Sequence, residues 1–182
     1  MEITNESLIA PEQSLSFKYK LSVVIGLSVC IFVLDQATKI WAVETLLGHE
    51  PTYYLKGIFQ FVYAENPGAF LGFGGGWSRA VRFIIFAVLV LGGLGAMLWY
   101  LLKKETSRVN LFAYSFILAG GLGNLWDRVV HEQGHVIDFM LIDFGGFMRT
   151  GVFNIADVAI VIGVLMAFLS DYLTKKSHQK KI

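Results

Sequence analysis

"FIIFAVLVLGGLGAMLWYLL", residues 83–102, carries no charge over twenty consecutive positions. At about 1.5 Å per helical residue, such a run reaches roughly the 30 Å of a bilayer's hydrocarbon core. The rest of the chain agrees with a membrane class. Of its 182 residues 55% are apolar and only 16% charged, too apolar for an ordinary soluble globule, and the length is about that of one domain.

Three more apolar runs flank this one, each with polar groups at one end. Residues 21–43 begin "LSVVIGLSVCIFVL" and then meet "DQATK"; residues 109–128 end in "GGLGNLWDR"; the last opens at "FNIAD", 153–157, and continues to about residue 172. The expected fold is therefore an all-α membrane protein of four transmembrane helices. The connection 44–79 contains "YYLKGIFQFVYAENPGAFLGFGGGW", which combines strand-forming aromatics with a Pro-Gly turn and a glycine cluster. It predicts a small extracytoplasmic β-rich segment between helices 1 and 2, with Tyr53, Tyr54, Phe59, Phe61, Tyr63, Phe70 and Trp77 at the membrane interface.

Basic residues set the orientation. Lys18 and Lys20, then Lys103, Lys104 and Arg108, then Lys175, Lys176, Lys180 and Lys181 mark three cytoplasmic segments, so both termini lie inside. The expected organisation is a single domain over 1–182, with a loose cytoplasmic tail at 1–17 and a basic cytoplasmic tail at 173–182. The first helix reads as a span and not as a cleaved signal peptide. A net charge of +1 carries no nucleic-acid signal, and the basic residues suit anionic lipid headgroups. Cys30, the one cysteine, sits inside an apolar run and reads as a structural thiol. Gly92 and Ala96 have the small-xxx-small spacing of helix packing. "GFGGGW" at 72–77 lacks the spacing of a dinucleotide fingerprint and reads as a surface hinge. No inverted repeat of the transporter kind is visible.

The intramembrane polar residues all fall at one face. Asp35 and Lys39 come late in helix 1, Asn124, Asp127 and Arg128 late in helix 3, and Asn154 and Asp157 early in helix 4, with Asp138 in the connection before it. A charge at mid-bilayer costs about 2.5 to 3.5 kcal/mol, so four acids in one layer need a reason. Structural reasons exist for some. Asn154 and Asp157, three apart, fit a helix cap; Asp35 and Lys39 are spaced for an i,i+4 pair; Asp127 needs Arg128 or another cation. Asp138, flanked by apolar residues in "HVIDFM", has the weakest structural reason. Two close carboxylates share a proton, so that one can activate water while the other polarises a carbonyl, which is aspartic peptidase chemistry.

"HEQGH", 131–135, also matches the H-E-x-x-H zinc pattern, with His131 and His135 as ligands and Glu132 as base. Against it, the run lies in a short polar connection with Gly134 inside. A proton-coupled transporter and a lipoprotein-binding chaperone are the non-peptidase readings of the same acids.

Taken together, "DQATK" at 35–39, "ENPGAF" at 65–70, "GGLGNLWDRV" at 120–129, "VIDF" at 136–139 and "FNIAD" at 153–157 resemble the signal peptidase II family of bacterial membrane aspartic peptidases. The resemblance implies catalytic roles for Asp138 and Asp157. It implies supporting or ligand-binding roles for Asp35, Lys39, Asn66, Gly68, Asn124, Asp127, Arg128 and Asn154, with no metal and no cofactor. It also implies a diacylglyceryl prolipoprotein substrate cut before its lipidated cysteine, membrane lipids as the other partners, a monomer, and a site near the outer face of the bacterial inner membrane. One departure stands out: the family's second block commonly reads N-x-G-A-A-F, whereas here it is "NPGAFLG".

Overall fold

The computed structural model describes residues 14–68, 74, 76–104, 106–145 and 147–179. Helix α1 is Phe17–Leu46. A composite α2 follows: an α-helical turn Arg79–Phe83, a π-helical stretch Ile84–Leu89 and an α-helical body Val90–Lys103. Helix α3 is Arg108–Val130 and α4 is Ile155–Gln179. Four helices are thus long and apolar enough to cross a membrane. Each starts at a polar cap: Ser16, Ser78 and Ser107 accept from the backbone N–H three residues on, and Asn154 does the same for α4. These side chains satisfy donors that no lipid could.

Helix α3 is the central one. Half of its membrane window is buried inside the protein, against 17%, 12% and 17% for α1, α2 and α4. It packs most extensively on α4 and α1, and glycines let it approach. A Cβ on Gly120 would collide with the Ala156 carbonyl of α4, and one on Gly163 with the Ala113 carbonyl of α3. The Gly92–Ala96 spacing expected to pack is a correction: a Cβ at Gly92 would meet nothing within 4 Å. That face of α2 is open.

Helix α1 buries Val24, Ile31, Asp35, Lys39, Ala42 and Leu46, a stripe at three- and four-residue intervals. Asp35 and Lys39 lie within it, so the helix that buries its apolar edge also turns an acid and an amine inward.

At one end of the bundle lies a three-stranded antiparallel sheet in the order β1 (Thr52–Tyr54), β2 (Phe59–Asn66), β3 (Val136–Ile142). The first two strands are the expected ribbon. The third falls where the sequence predicts only a connection, because a short apolar run between two helices has no periodicity of its own. Phe59, Phe61 and Tyr63 pack on Ala42, Leu46, Phe139 and Met140, which seats the sheet on the end of α1. Phe70 and most of "GFGGGW" lie outside the described residues. Helices α1 and α4 run further than hydropathy placed them, to Leu46 and Gln179, so Lys175 and Lys176 sit on a helix.

Candidate active site

Lys39 is the centre of the polar layer. Its ammonium lies 2.8 Å from Asp35 Oδ2, 2.8 Å from Asp127 Oδ2 and 3.3 Å from Asn124 Oδ1, so all three of its donors are used. Asp35 and Asp127 are wholly buried and Lys39 is 2% exposed. Such a group survives burial only if the remaining lone pairs are also satisfied. They are: Asp35 Oδ1 accepts from Ala156 N, Asp127 Oδ2 from Ile137 N, and Gln36 Nε2 donates to both carboxylates. The cation for Asp127 is therefore Lys39 and not its neighbour Arg128. Gln36 joins the site although the sequence marks it only by its place inside "DQATK".

The same cluster ties three elements together. Asp35 on α1 caps α4 through Ala156 N–H, and Asp127 on α3 holds the backbone of β3 through Ile137 N–H. Strand β3 and the start of α4 are thereby fixed relative to one another, and these carry Asp138 and Asp157.

At the start of α4, Asn154 and Asp157 form a reciprocal box: Asn154 Oδ1 accepts from Asp157 N at 3.0 Å, and Asp157 Oδ2 accepts from Asn154 N at 3.1 Å. Asn154 Nδ2 then donates to Asp138 Oδ1 at 2.7 Å and approaches the Ile137 carbonyl and Asn124 Oδ1. One asparagine therefore touches both aspartates. Asn124 Nδ2 donates to Asp157 Oδ1 at 2.8 Å and Asn66 Nδ2 to Asp138 Oδ2 at 3.1 Å.

The polarity of each amide is fixed by an obligate donor behind it. Lys39 can only donate, which turns Asn124 Oδ1 toward it; Gly68 N–H and Asp157 N–H do the same for Asn66 and Asn154. All three NH₂ groups must then face carboxylates. Burial, and next the charge of Asp157, push the Asp138 carboxyl up to about 7 against the pull of these donors. Four carboxylates here face two cations, Lys39 and Arg128, and one retained proton brings that balance nearer to neutrality.

Which residue of β2 meets Asp138 is decided by a bulge. Phe61 pairs with Met140, but Ala64 pairs with Asp138, so two residues of β2 oppose one of β3. Without the extra residue, alternation would place Glu65 on the face of Asp138 and Asn66 on the other. With it, Asn66 joins Ala64, Val136 and Asp138 on the inner face, and Glu65 turns outward.

The two histidines of "HEQGH" do not converge. The run is a turn after the end of α3; His131 Nδ1 lies on the His135 carbonyl at 3.0 Å, and His135 Nδ1 lies on Glu65 at 3.0 Å. Among the described residues no group of three His, Cys, Asp or Glu side chains is placed to hold a metal ion. Arg128 does not touch either aspartate. It donates to the Gly68 carbonyl and, at 3.3 Å, to the Gly134 carbonyl, with its guanidinium 5.0 Å over the Phe86 ring.

Sequence and structure comparisons agree on the relatives of this arrangement. The family model described as Signal peptidase (SPase) II matches residues 27–173. The chain is 40% identical over 160 residues to the lipoprotein signal peptidase of Psychromonas ingrahamii, covering 85% of this chain and 87% of that one. It is 34% identical over 134 residues to that of Clostridium novyi, covering 74% and 86%. The chain belongs to the signal peptidase II family. A solved bacterial membrane enzyme, determined by the in meso method at 2.3 Å resolution, superposes with a TM-score of 0.72 at 26% identity, over 88% of this chain and 92% of that one.

As a signal peptidase II, the chain is a membrane protease, and the residues expected from its motifs can be placed. Asp35, Lys39, Asn124 and Asp127 form one connected polar layer, and Asn66, Asn154, Asp138 and Asp157 form the next, joined through Asn124. Gly68 and Arg128 lie at the rim, bonded to each other.

Proposed function

We propose that this chain is an aspartic endopeptidase that removes the signal peptide from diacylglyceryl prolipoproteins, cutting on the amino side of the lipidated cysteine. The observation that carries the reading is Asn154, which donates to Asp138 and forms the helix cap with Asp157. It holds two carboxyls side by side in different electrostatic settings. Asp157, in the first turn of α4, accepts from a backbone N–H and an amide at the positive end of the helix, a setting for an anion. Asp138, 2% exposed and beside that anion, keeps the proton.

Asp157 takes a proton from water as its oxygen bonds to the scissile carbonyl carbon, while Asp138 gives its proton to the carbonyl oxygen. The tetrahedral diol then collapses. The C–N bond breaks, Asp157 delivers the proton to the cysteine nitrogen, and Asp138 recovers one from the diol. The substrate is held at the rim by Arg128 and by the 66–68 loop, and the pair titrates as a unit.

The basic residues Lys18, Lys20, Lys103, Lys104, Arg108, Lys175 and Lys176 belong to the opposite end of the bundle from the sheet; Lys20 on α1 donates to the Lys104 carbonyl at 2.6 Å. This distribution supports an orientation with both termini in the cytoplasm and the site near the outer face of the bacterial inner membrane, the chain acting as a single-domain monomer among lipids. A transporter reading is less well supported, since the connected acids stop at one end.

Asp138→Asn and Asp157→Asn, assayed on a diacylglyceryl lipopeptide, should each lose activity by about a hundred- to ten-thousandfold or more while still inserting. Full activity in either would sink the dyad. Wild-type activity should persist in a strong chelator and in Glu132→Gln, whereas loss in both would revive the zinc reading.

A further inference from the structure

The "HEQGH" run has no part in the reaction above, yet its last histidine is built into the rim of the site. His135 Nδ1 lies 3.0 Å from Glu65 Oε2, and Tyr63 Oη donates to Glu65 Oε1 at 2.9 Å. The contact completes a ring of links. Glu65 precedes Asn66, whose Oδ1 accepts from Gly68 N; the Gly68 carbonyl accepts from Arg128; Arg128 also donates to the carbonyl of Gly134, which precedes His135. Gly134 makes the turn with a φ of 65°, a left-handed conformation suited to glycine. The Glu65–His135 contact is the outward link of this ring, 49% and 22% exposed.

The bulge gives the link its meaning. Glu65 pairs with Ile137, so His135 lies diagonal to it on the outer face, while Asn66 lies diagonal to Asp138 on the inner face. A slip of one residue would exchange them, setting a glutamate against the aspartate. We infer that Glu65 and His135 are a positioning pair for the peptidase reaction, clamping β2 in the register that keeps the Asn66 amide on Asp138.

The surroundings favour a charged pair. The hydrogen bonds from His135 and then Tyr63 hold Glu65 below its ordinary carboxylate range, so the acid is ionised wherever the enzyme works. The other groups facing the pair are Tyr63 on β2, His131 in the turn with its ring on the His135 carbonyl, and Arg128 and Asp127 from α3, Asp127 being engaged by Lys39.

The inference rests on the peptidase reading, and one experiment separates the two. The full chain in lipid is assayed on a diacylglyceryl lipopeptide, with kcat and KM read separately. Glu65→Gln and His135→Gln should each lower kcat about two- to fivefold with KM little changed. Neither should lower it further when Asn66→Ala is already present. The exchange of Glu65→His with His135→Glu should restore the rate. A raised KM in place of a lowered kcat, loss additive with Asn66→Ala, or no loss would overturn the clamp. If the wild type cleaves nothing, the peptidase reading fails instead, and the clamp is judged by NMR. The Asn66 side-chain amide signal should move in Glu65→Gln, and an unmoved signal would overturn it.

Discussion

Asp138 shows how a single carboxyl links chemistry to stability. Its ordinary value is 3.8 and the fold holds it at about 7, so between those values the native state binds more proton than the unfolded chain. Stability therefore falls as pH rises from about 4 to about 7, and the destabilisation is fully present above that. Asp138→Asn removes the titration. Its melting temperature at pH 8 should exceed that of the wild type, by an amount worth about 1–3 kcal/mol after the loss of one accepted hydrogen bond. At about pH 4 the advantage should vanish, and thermal unfolding at the two pH values checks both halves. At this scale much was legible. The spacing of Asn154 and Asp157 announced a cap, and that of Asp35 and Lys39 a pair, because helical neighbours are fixed by sequence separation. The contact of Lys39 with Asp127 was not, since spacing carries no information about which helices touch.

Among the elements, the α3–α4 contact depends on missing side chains. Gly163→Ala should destabilise by about 1–3 kcal/mol, because the added methyl meets backbone that cannot rotate away. Gly92→Ala, on an open helix face, should instead be neutral or stabilise by up to about 1 kcal/mol through helix propensity. Denaturation of the two variants in the same detergent decides between them. Both glycines look alike in a sequence, as does any small residue in an apolar helix. Helix existence and number could be read because length and apolarity alone determine a span. Strand β3 could not, because its register and bulge come from pairing with residues seventy or more positions earlier. The face on which Asn66 lies was invisible for the same reason.

Across the whole molecule, the buried acids Asp35, Asp127 and Asp138 gather at the sheet end, and Lys18, Lys103, Lys104, Arg108, Lys175 and Lys176 lie at the other. With Cys30→Ser as background, Tyr54→Cys in β1 should react with a membrane-impermeant maleimide in intact cells, and Lys176→Cys in α4 should not. The reverse pattern would invert the proposed orientation.

The start of α4 has a consequence for turnover. Two of its first-turn donors are already taken: Ala156 N–H by Asp35, and Asp157 N–H by Asn154. Peptide cleavage leaves a new carboxylate on the departing signal peptide, born beside two aspartates at a helix end where these two donors are engaged. It should be driven out by charge. A signal peptide ending in a free carboxylate should accordingly inhibit about tenfold more weakly than its carboxamide, the equivalent of about 1.4 kcal/mol of repulsion. Inhibition constants for the two peptides measure it, and equal values would refute it. The residues that hold the helix end closed thus also clear the enzyme for its next substrate.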